Sequence, residues 1–252
     1  MIRVADLAVA ADALAGRTIL VTGAHGGLGE AAALACAAAG ATVVLLGRRV
    51  PKLNRVYDAI VARGFATPAI YPLDLEGAGP ADYEQMADAI ERECGGLHGI
   101  LHTAAEFTGL TQITSHSPED WVRGIHVNLT APILLTRACL PLMRQAEDAA
   151  VVFVLDDPQR IARAYWGPYA IAKHGLAGAV AVFGDELENT PVRVHGLMPG
   201  PMRTPLRARA WFAEDPGQWP PASEYAPACV WALAQGAAEW RGKVLPLAAG
   251  AG

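Results

Sequence analysis

Tyr169 and Lys173 stand four residues apart in Gly167-Pro168-Tyr169-Ala170-Ile171-Ala172-Lys173. On a helix that spacing puts both side chains on one face. A phenol beside an ammonium is a proton-transfer pair. The free phenol ionises only near pH 10, and an adjacent positive charge favours the phenolate and brings that value down. Tyr-x-x-x-Lys is a common match by itself, so its meaning rests on the elements that hold it. An apolar strand, Val151-Val152-Phe153-Val154-Leu155, leads in, and the connecting segment opens on Asp156-Asp157.

The positioning elements begin near the N-terminus. Thr18-Ile19-Leu20-Val21-Thr22 is a short apolar strand followed at once by Gly23-Ala24-His25-Gly26-Gly27-Leu28-Gly29, and an alanine-rich helix runs on to about Ala39. A second apolar strand, Thr42-Val43-Val44-Leu45-Leu46, ends in Gly47-Arg48-Arg49. In a strand–glycine loop–helix–strand unit the glycines let backbone approach a pyrophosphate. The helix start supplies unpaired N–H groups and a positive dipole end. The competing reading is a tight turn that binds nothing. At the end of the second strand an acidic residue would bond the ribose hydroxyls of NAD and repel a 2′-phosphate. Gly47 stands there instead, and Arg48 and Arg49 offer guanidinium forks suited to phosphate. The pattern favours NADP(H) over NAD(H).

The alternation continues along the chain. Pro51 opens a helix to about Ala62, a strand at Ala69-Ile70-Tyr71 leads to Leu73-Asp74-Leu75, and a helix covers roughly Ala81 to Cys94. The strand Gly99-Ile100-Leu101-His102 ends in Thr103-Ala104-Ala105. A long helical region around Trp121 to Arg144 carries Asn128, and Pro132 predicts a kink or split there. After the strand at Val151 come the Tyr169 helix to about Leu187 and a strand from Val192 to Leu197. Met198-Pro199-Gly200-Pro201-Met202 then breaks the pattern. A loop-rich segment with Trp211, Phe212 and Trp219 precedes a helix from about Ser223 to Gln235 and a last strand at Lys243 to Leu247. Seven strands alternating with helices predict an α/β fold: one doubly wound parallel sheet, helices on both faces, in a single domain over residues 1–252.

Composition narrows the function classes. Of the 252 residues 52% are apolar and 18% charged, which describes a globular chain, not a disordered one. A net charge of −5 gives no electrostatic reason to expect nucleic acid or an anionic membrane as partner. Cys36, Cys94, Cys139 and Cys229 form no C-x-x-C pair, which predicts reduced thiols and a cytoplasmic setting. His98 and His102 lie on a turn and a strand, where a four-residue spacing does not converge, so no metal site is expected. The most apolar helical run, Gly175 to Gly184, is shorter than the roughly 20 residues a membrane span needs. Asp6 and Asp12 interrupt the apolar N-terminus, which reads as a lead-in and not as an export signal. Asn128-Leu129-Thr130 matches a glycosylation sequon, taken as chance in that setting.

Together these motifs resemble the short-chain dehydrogenase/reductase family over nearly the whole chain. Thr22-Gly23-x-x-x-Gly27-x-Gly29 is similar to its nucleotide loop, Asp74 to its adenine-contacting Asp, Asn128 to its Asn, Tyr169-x-x-x-Lys173 to its catalytic pair, and Pro199-Gly200 to its turn beside the nicotinamide. The resemblance implies a Rossmann-type fold, hydride transfer between NAD(P) and a carbonyl or alcohol of small-molecule size, and a homodimer or homotetramer. It implies Tyr169 as acid/base, Lys173 as the cation that lowers its pKa and holds the nicotinamide ribose, and Asn128 as holder of a water that links Lys173 to solvent. The cofactor contacts it implies are Gly23, His25, Gly27, Leu28, Gly29, Arg48, Arg49, Asp74, Leu75, Thr103, Ala104, Ala105, Tyr169, Lys173, Pro199, Gly200, Met202 and Thr204.

One position departs sharply. The family places a Ser about thirteen residues before the Tyr, where its hydroxyl donates to the substrate oxygen; here that position is Asp156, and no Ser or Thr occurs from Val151 to Tyr169. An ionised carboxylate only accepts hydrogen bonds, and it repels the charge that develops on a carbonyl oxygen. Three readings of Asp156 stand: a protonated acid that donates, a carboxylate that faces a cationic or polyhydroxylated substrate, or a catalytically silent protein that keeps its nucleotide as a subunit or sensor. The family's Asn-Asn-Ala-Gly after the fourth strand is also altered, to His102-Thr103-Ala104-Ala105, and His195 stands where many members have Asn. Trp211, Phe212 and Trp219 are either a lid over the substrate or packing for their own loop.

Overall fold

The computed structural model describes residues 1–249. Its strands are β1 (Ile2–Arg3), β2 (Thr18–Thr22), β3 (Thr42–Gly47), β4 (Ala69–Pro72), β5 (Gly99–His102), β6 (Ala149–Val154), β7 (Val192–Met198) and β8 (Val244–Ala248). The principal helices are α1 (Gly27–Ala38), α2 (Val50–Val61), α3 (Pro80–Cys94), α4 (Pro118–Ile125), α5 (Ala131–Met143), α6 (Pro158–Ile161), α7 (Gly167–Glu186), α8 (Pro205–Ala210) and α9 (Ala226–Leu233). All strand pairs are parallel, in the order β1-β8-β7-β6-β5-β2-β3-β4. The sequence pattern predicts seven strands and the sheet has eight. The additional one, β1, pairs Ile2 with Leu247 and Arg3 with Ala248, and two residues are too few to show alternation.

Successive side chains of each strand enter opposite layers. Ile19 and Val21 pack with Ala32, Cys36 and Leu233 of α1 and α9, while Leu20 packs with Met86, Leu135 and Cys139 of α3 and α5. From β2 the chain builds outward through β3 and β4, then crosses to β5 on the other side. That reversal opens a crevice at the carboxyl ends of β2 and β5, where ligands bind in open α/β sheets.

The expected break near Pro132 is a π-helical turn, His126–Thr130, joining α4 to α5. Pro132 has no N–H to close an α-turn onto the carbonyl of residue 128, so the turn widens just before it. The joined run Pro118–Met143 is 26 residues with mean hydropathy 1.2, long and apolar enough by composition to cross a membrane. It is longer than the Gly175–Gly184 run that stands out as most apolar in the sequence. In the fold Leu135, Cys139 and Met143 of this run are buried in the sheet layer.

At the opposite, amino ends of the strands lies a partly buried charge cluster. Asp148 accepts from Arg17 Nη1 at 2.7 Å and from Arg193 Nε and Nη2 at 2.8 and 2.9 Å. Arg193 Nη1 is 3.1 Å from His195 Nε2; a guanidinium can only donate, so this nitrogen accepts and the imidazole is neutral. Burial, chiefly, pushes His195 down to about 4 and His102 down to about 3. Both histidines bind protons in the unfolded chain below about pH 6.5 and refuse them when folded. Their contribution to stability is therefore complete above pH 6.5 and is lost as pH falls toward 4 and 3. Thermal melts are expected to be flat from pH 8 to 7 and to drop progressively below 6.5, with a shallower drop in His195→Gln. A melting temperature constant down to pH 4.5 would contradict this.

Candidate active site

The glycine loop between β2 and α1 is built for close approach. Gly23 has φ +66°, and a Cβ there would lie 2.9 Å from Ala104 Cα, so only glycine fits both the left-handed backbone and the neighbouring strand end. A Cβ on Gly29 would meet the Gly23 carbonyl oxygen at 2.3 Å, which identifies Gly29 as the residue that seats α1 against β2. Gly26, extended at the start of α1, leaves that terminus without a side-chain cap. Its N–H groups and dipole face the crevice as an anion site. The Thr22 hydroxyl accepts from Ala104 N at 3.2 Å, and the Thr103 hydroxyl donates to the Thr22 carbonyl, which ties the two strand ends that form the floor.

A cavity of about 420 Å³ runs from this loop to Tyr169. Its outer end is cationic: Arg48, Arg49 and Lys52 line it beside His25. Burial, and then the charges of Lys52, Arg49 and Arg48, hold His25 below the ordinary histidine value. A Cβ on Gly47 would sit 2.5 Å from His25 Nδ1, so an acidic residue at that strand end would have to expel the imidazole. Arg48 pairs loosely with Asp74 at 3.5 Å and Glu76 at 3.7 Å, and Asp74 Oδ1 accepts from Glu76 N at 3.1 Å. Lys52 and Glu76 carry no motif; they reach the site because α2 and the turn after β4 border the end of β3. Arg48→Ala is expected to weaken NADP⁺ binding roughly tenfold, the worth of one charge-assisted contact, while leaving NAD⁺ binding unchanged. Fluorescence titration with both dinucleotides checks this, and equal losses would remove Arg48 from phosphate recognition.

At the inner end, Tyr169 and Lys173 project from α7 and are both buried. Lys173 Nζ donates to the Val154 carbonyl at 2.7 Å and lies 5.8 Å from the Tyr169 ring centroid. Burial brings Lys173 down to about 8, opposed by the charge of Asp156. The Tyr169 hydroxyl donates to Asp156 Oδ2 at 2.9 Å. Burial first, then the Asp156 charge and hydrogen bond, hold the phenol well above its ordinary value, with Arg160 pulling the other way. The sequence spacing points to Lys173 as the partner of this phenol; in the structure the hydrogen-bond partner of its hydroxyl is Asp156.

Asp156 is surrounded by donors. Oδ1 accepts from Asp157 N at 2.8 Å, from Arg160 Nε at 2.9 Å and from Arg160 Nη2. With Oδ2 taken by Tyr169, every neighbour gives a proton to this carboxylate. This carboxylate therefore sits between the Tyr169 hydroxyl and the Arg160 guanidinium. Asn128 is set behind the cavity wall. Its amide donates to the Glu106 and Gly124 carbonyls, both at 2.8 Å, and its Oδ1 accepts from Glu106 N at 3.0 Å. Both amide hydrogens are committed to backbone, so its side chain clamps the segment after β5 to α4.

Of the other expected contacts, His25, Gly27, Leu28, Leu75, Thr103, Ala104, Ala105, Pro199, Gly200, Met202 and Thr204 all line the same cavity, while Gly29 supports it from outside. Beyond Tyr169 an aromatic cluster packs on the cavity. Phe107 stacks on Trp166 at 5.2 Å and meets the Tyr169 ring edge-on at 5.4 Å, and Trp166 packs on Trp211 at 5.2 Å. Arg207 lies 4.3 Å from both the Trp211 and Trp219 rings and bonds Glu214 at 2.7 and 2.8 Å. Trp211 is therefore cavity wall, Trp219 packs its own loop, and Phe212 is 89% exposed. Arg160, Phe107 and Arg209 also line the cavity. No spacing in the sequence announces them.

The family model described as short chain dehydrogenase matches residues 17–215. The chain is 35% identical to the uncharacterized oxidoreductase YciK of Escherichia coli K12 over 222 residues, 88% of each protein. It superposes on the crystal structure of a short chain dehydrogenase from Salmonella enterica serovar Typhi with TM-score 0.91 at 34% identity, covering 95% of this chain and 98% of that one. A protein from Shigella flexneri 2a solved in complex with NADP superposes with TM-score 0.89 at 33% identity, over 94% of this chain and 99% of that one.

Proposed function

The chain belongs to the short chain dehydrogenase family of NAD(P)-dependent oxidoreductases, and from that premise we propose that it reduces a small carbonyl substrate with NADP(H), Tyr169 acting as the acid. The observation that carries the reading is one continuous cavity with the glycine loop and cationic Arg48–Arg49–Lys52 rim at one end and Tyr169 and Lys173 at the other. The fit to a dinucleotide rests on the Gly23 and Gly29 close approaches, which any side chain would fill. Preference for NADP(H) is supported by Gly47, by the three cations, and by the NADP complex of the Shigella flexneri relative.

When bound, the dinucleotide supplies the hydride to the substrate carbon. Tyr169 Oη, held protonated, gives its proton to the carbonyl oxygen. Lys173, buried between Tyr169 and the Val154 carbonyl, holds the ribose and offsets the phenolate left behind. Phe107 and Trp211, which line the cavity and pack on Trp166 behind them, exclude water and select an apolar substrate body. A phenol kept as the acid supports the reductive direction. Exposed apolar residues on α4 and α7, Val122, Ile171 and Val182, support a homo-oligomer, and the four free cysteines support a cytoplasmic setting.

The test is a screen of aldehydes and ketones followed at 340 nm with NADPH and NADH. Turnover with NADPH ahead of NADH is the expected result. The donation of the Tyr169 hydroxyl to Asp156 favours a second reading, a silent nucleotide-binding homologue. Tight NADPH binding with no turnover across the panel would select it.

A further inference from the structure

We infer that Arg160 is the donor to the reacting oxygen of the substrate, filling the role left vacant by the missing serine, with Asp156 as the anchor that aims it. This rests on the reading of the cavity as a carbonyl-reducing site. Three features of the chain place the guanidinium there. Asp157 caps α6, its Oδ1 accepting from Gln159 N at 2.9 Å, and so starts a single helical turn directly after Asp156. Ile161, fully buried against Trp166 and Tyr169, pins that turn to the cavity wall. The turn returns Arg160 over Asp156, four residues earlier, where Nε and Nη2 both bond Oδ1.

The arrangement leaves donors to spare. A guanidinium carries five N–H groups, and the side chain of Arg160 makes no hydrogen bond except to Asp156 among the described residues. It is 19% exposed and lines the cavity with Tyr169. Asp156 holds the two together, Tyr169 on one oxygen and Arg160 on the other. A carbonyl oxygen that approaches the Tyr169 hydroxyl therefore comes within the field of an adjacent cation. During reduction the carbon would gain a hydride, with its electron pair, from the reduced dinucleotide, which would be oxidised. The Tyr169 O–H bond breaks, and a new O–H bond forms at the substrate oxygen. In between, that oxygen carries negative charge, and an N–H of Arg160 meets it where a serine hydroxyl otherwise would. The Asp156–Arg160 pair is neutral as a unit, so the carboxylate no longer opposes that charge.

The experiment compares wild type with Arg160→Met, which keeps the packing volume, and Arg160→Lys, which keeps the charge. NADP⁺ affinity, read by titration, and melting temperature establish that each variant is folded and loaded. The NADP⁺-loaded proteins are then titrated with acetate, a carboxylate probe for the developing oxyanion, followed by fluorescence of Trp166 and Trp211. Wild type is expected to bind acetate at least about tenfold more tightly than Arg160→Met, the worth of a charge-assisted bond, with Arg160→Lys in between and NADP⁺ affinity unchanged. In parallel, NADPH-dependent reduction of 4-nitrobenzaldehyde should lose kcat in Arg160→Met with KM for NADPH unaltered. Acetate that binds wild type and Arg160→Met alike, or binds neither, overturns the inference, as does wild-type kcat in Arg160→Met. If no protein reduces the aldehyde, the reading of the cavity as a reductase site fails separately, and the acetate titration still decides the role of Arg160.

Discussion

Tyr169→Phe is expected to lower NADPH-dependent carbonyl reduction by about 10²–10⁴-fold, the usual worth of a positioned proton donor, and to leave NADPH affinity unchanged. The ring sits among Phe107, Trp166 and Ala170, so the phenylalanine fills the same space and only the proton is lost. The partner experiment is Asp156→Ser. Removing the carboxylate takes away the charge and the hydrogen bond that raise the Tyr169 phenol, leaving burial against the lowering effect of Arg160. The alkaline limb of the pH–rate profile should accordingly move to lower pH in Asp156→Ser, because the phenol loses its proton earlier. Activity retained in Tyr169→Phe would exclude the phenol as acid; a pH profile unmoved by Asp156→Ser would exclude Asp156 as a group that raises its proton affinity beyond what burial does.

The second large effect lies at the other end of the sheet. Asp148→Ala should destabilise the fold by about 3 kcal/mol or more, because it leaves the buried Arg193 without a counter-charge. For a chain of this size that corresponds to a fall in melting temperature of roughly 6–12 °C. Arg193 is 3% exposed and spends Nε and Nη2 on Asp148, so the lost carboxylate leaves two donors of a buried guanidinium without their partner. Although burial itself pulls Asp148 upward, the bonds from Arg193 and Arg17 hold it below its ordinary value. Its contribution is therefore present at neutral pH and lost only when the pH falls through the acid range below about 4. At pH 7, a drop of less than 2 °C in Asp148→Ala, read by calorimetry, would show the cluster to be energetically idle.

The fold and the glycine-loop end of the cavity were legible because their determinants are local. Gly23, Gly27 and Gly29 act within one turn, Gly47-Arg48-Arg49 ends one strand, and Tyr169 and Lys173 share one helix face by spacing alone. The two-residue strand β1 was not legible, since its only evidence is a pairing with β8 across the whole chain. Asn128 was legible as a residue of interest, yet the place of its amide was not. The Glu106 backbone it bonds is 22 residues away, beyond any periodicity.

Asp156 shows the division most clearly. Its position before Tyr169 marked it, from the sequence alone, as a change of chemistry at the substrate oxygen, because a carboxylate where a hydroxyl is expected changes both charge and hydrogen-bond role. Whether it is protonated, faces a cationic or polyhydroxylated substrate or silences the site depends on what surrounds it. The four-residue α6 is too short to carry a periodic signal, so the return of Arg160 onto Asp156 and the donation from Tyr169 were invisible in the chain. The same holds for the aromatic cluster beside the cavity: Phe107, Trp166 and Trp211 come from three segments, and only the packing of those segments brings them together. Spacing along one element is set by backbone geometry and can be read in advance. The electrostatics of a buried carboxylate are set by whichever donors the fold brings within 3 Å of it, and here tertiary structure made that choice.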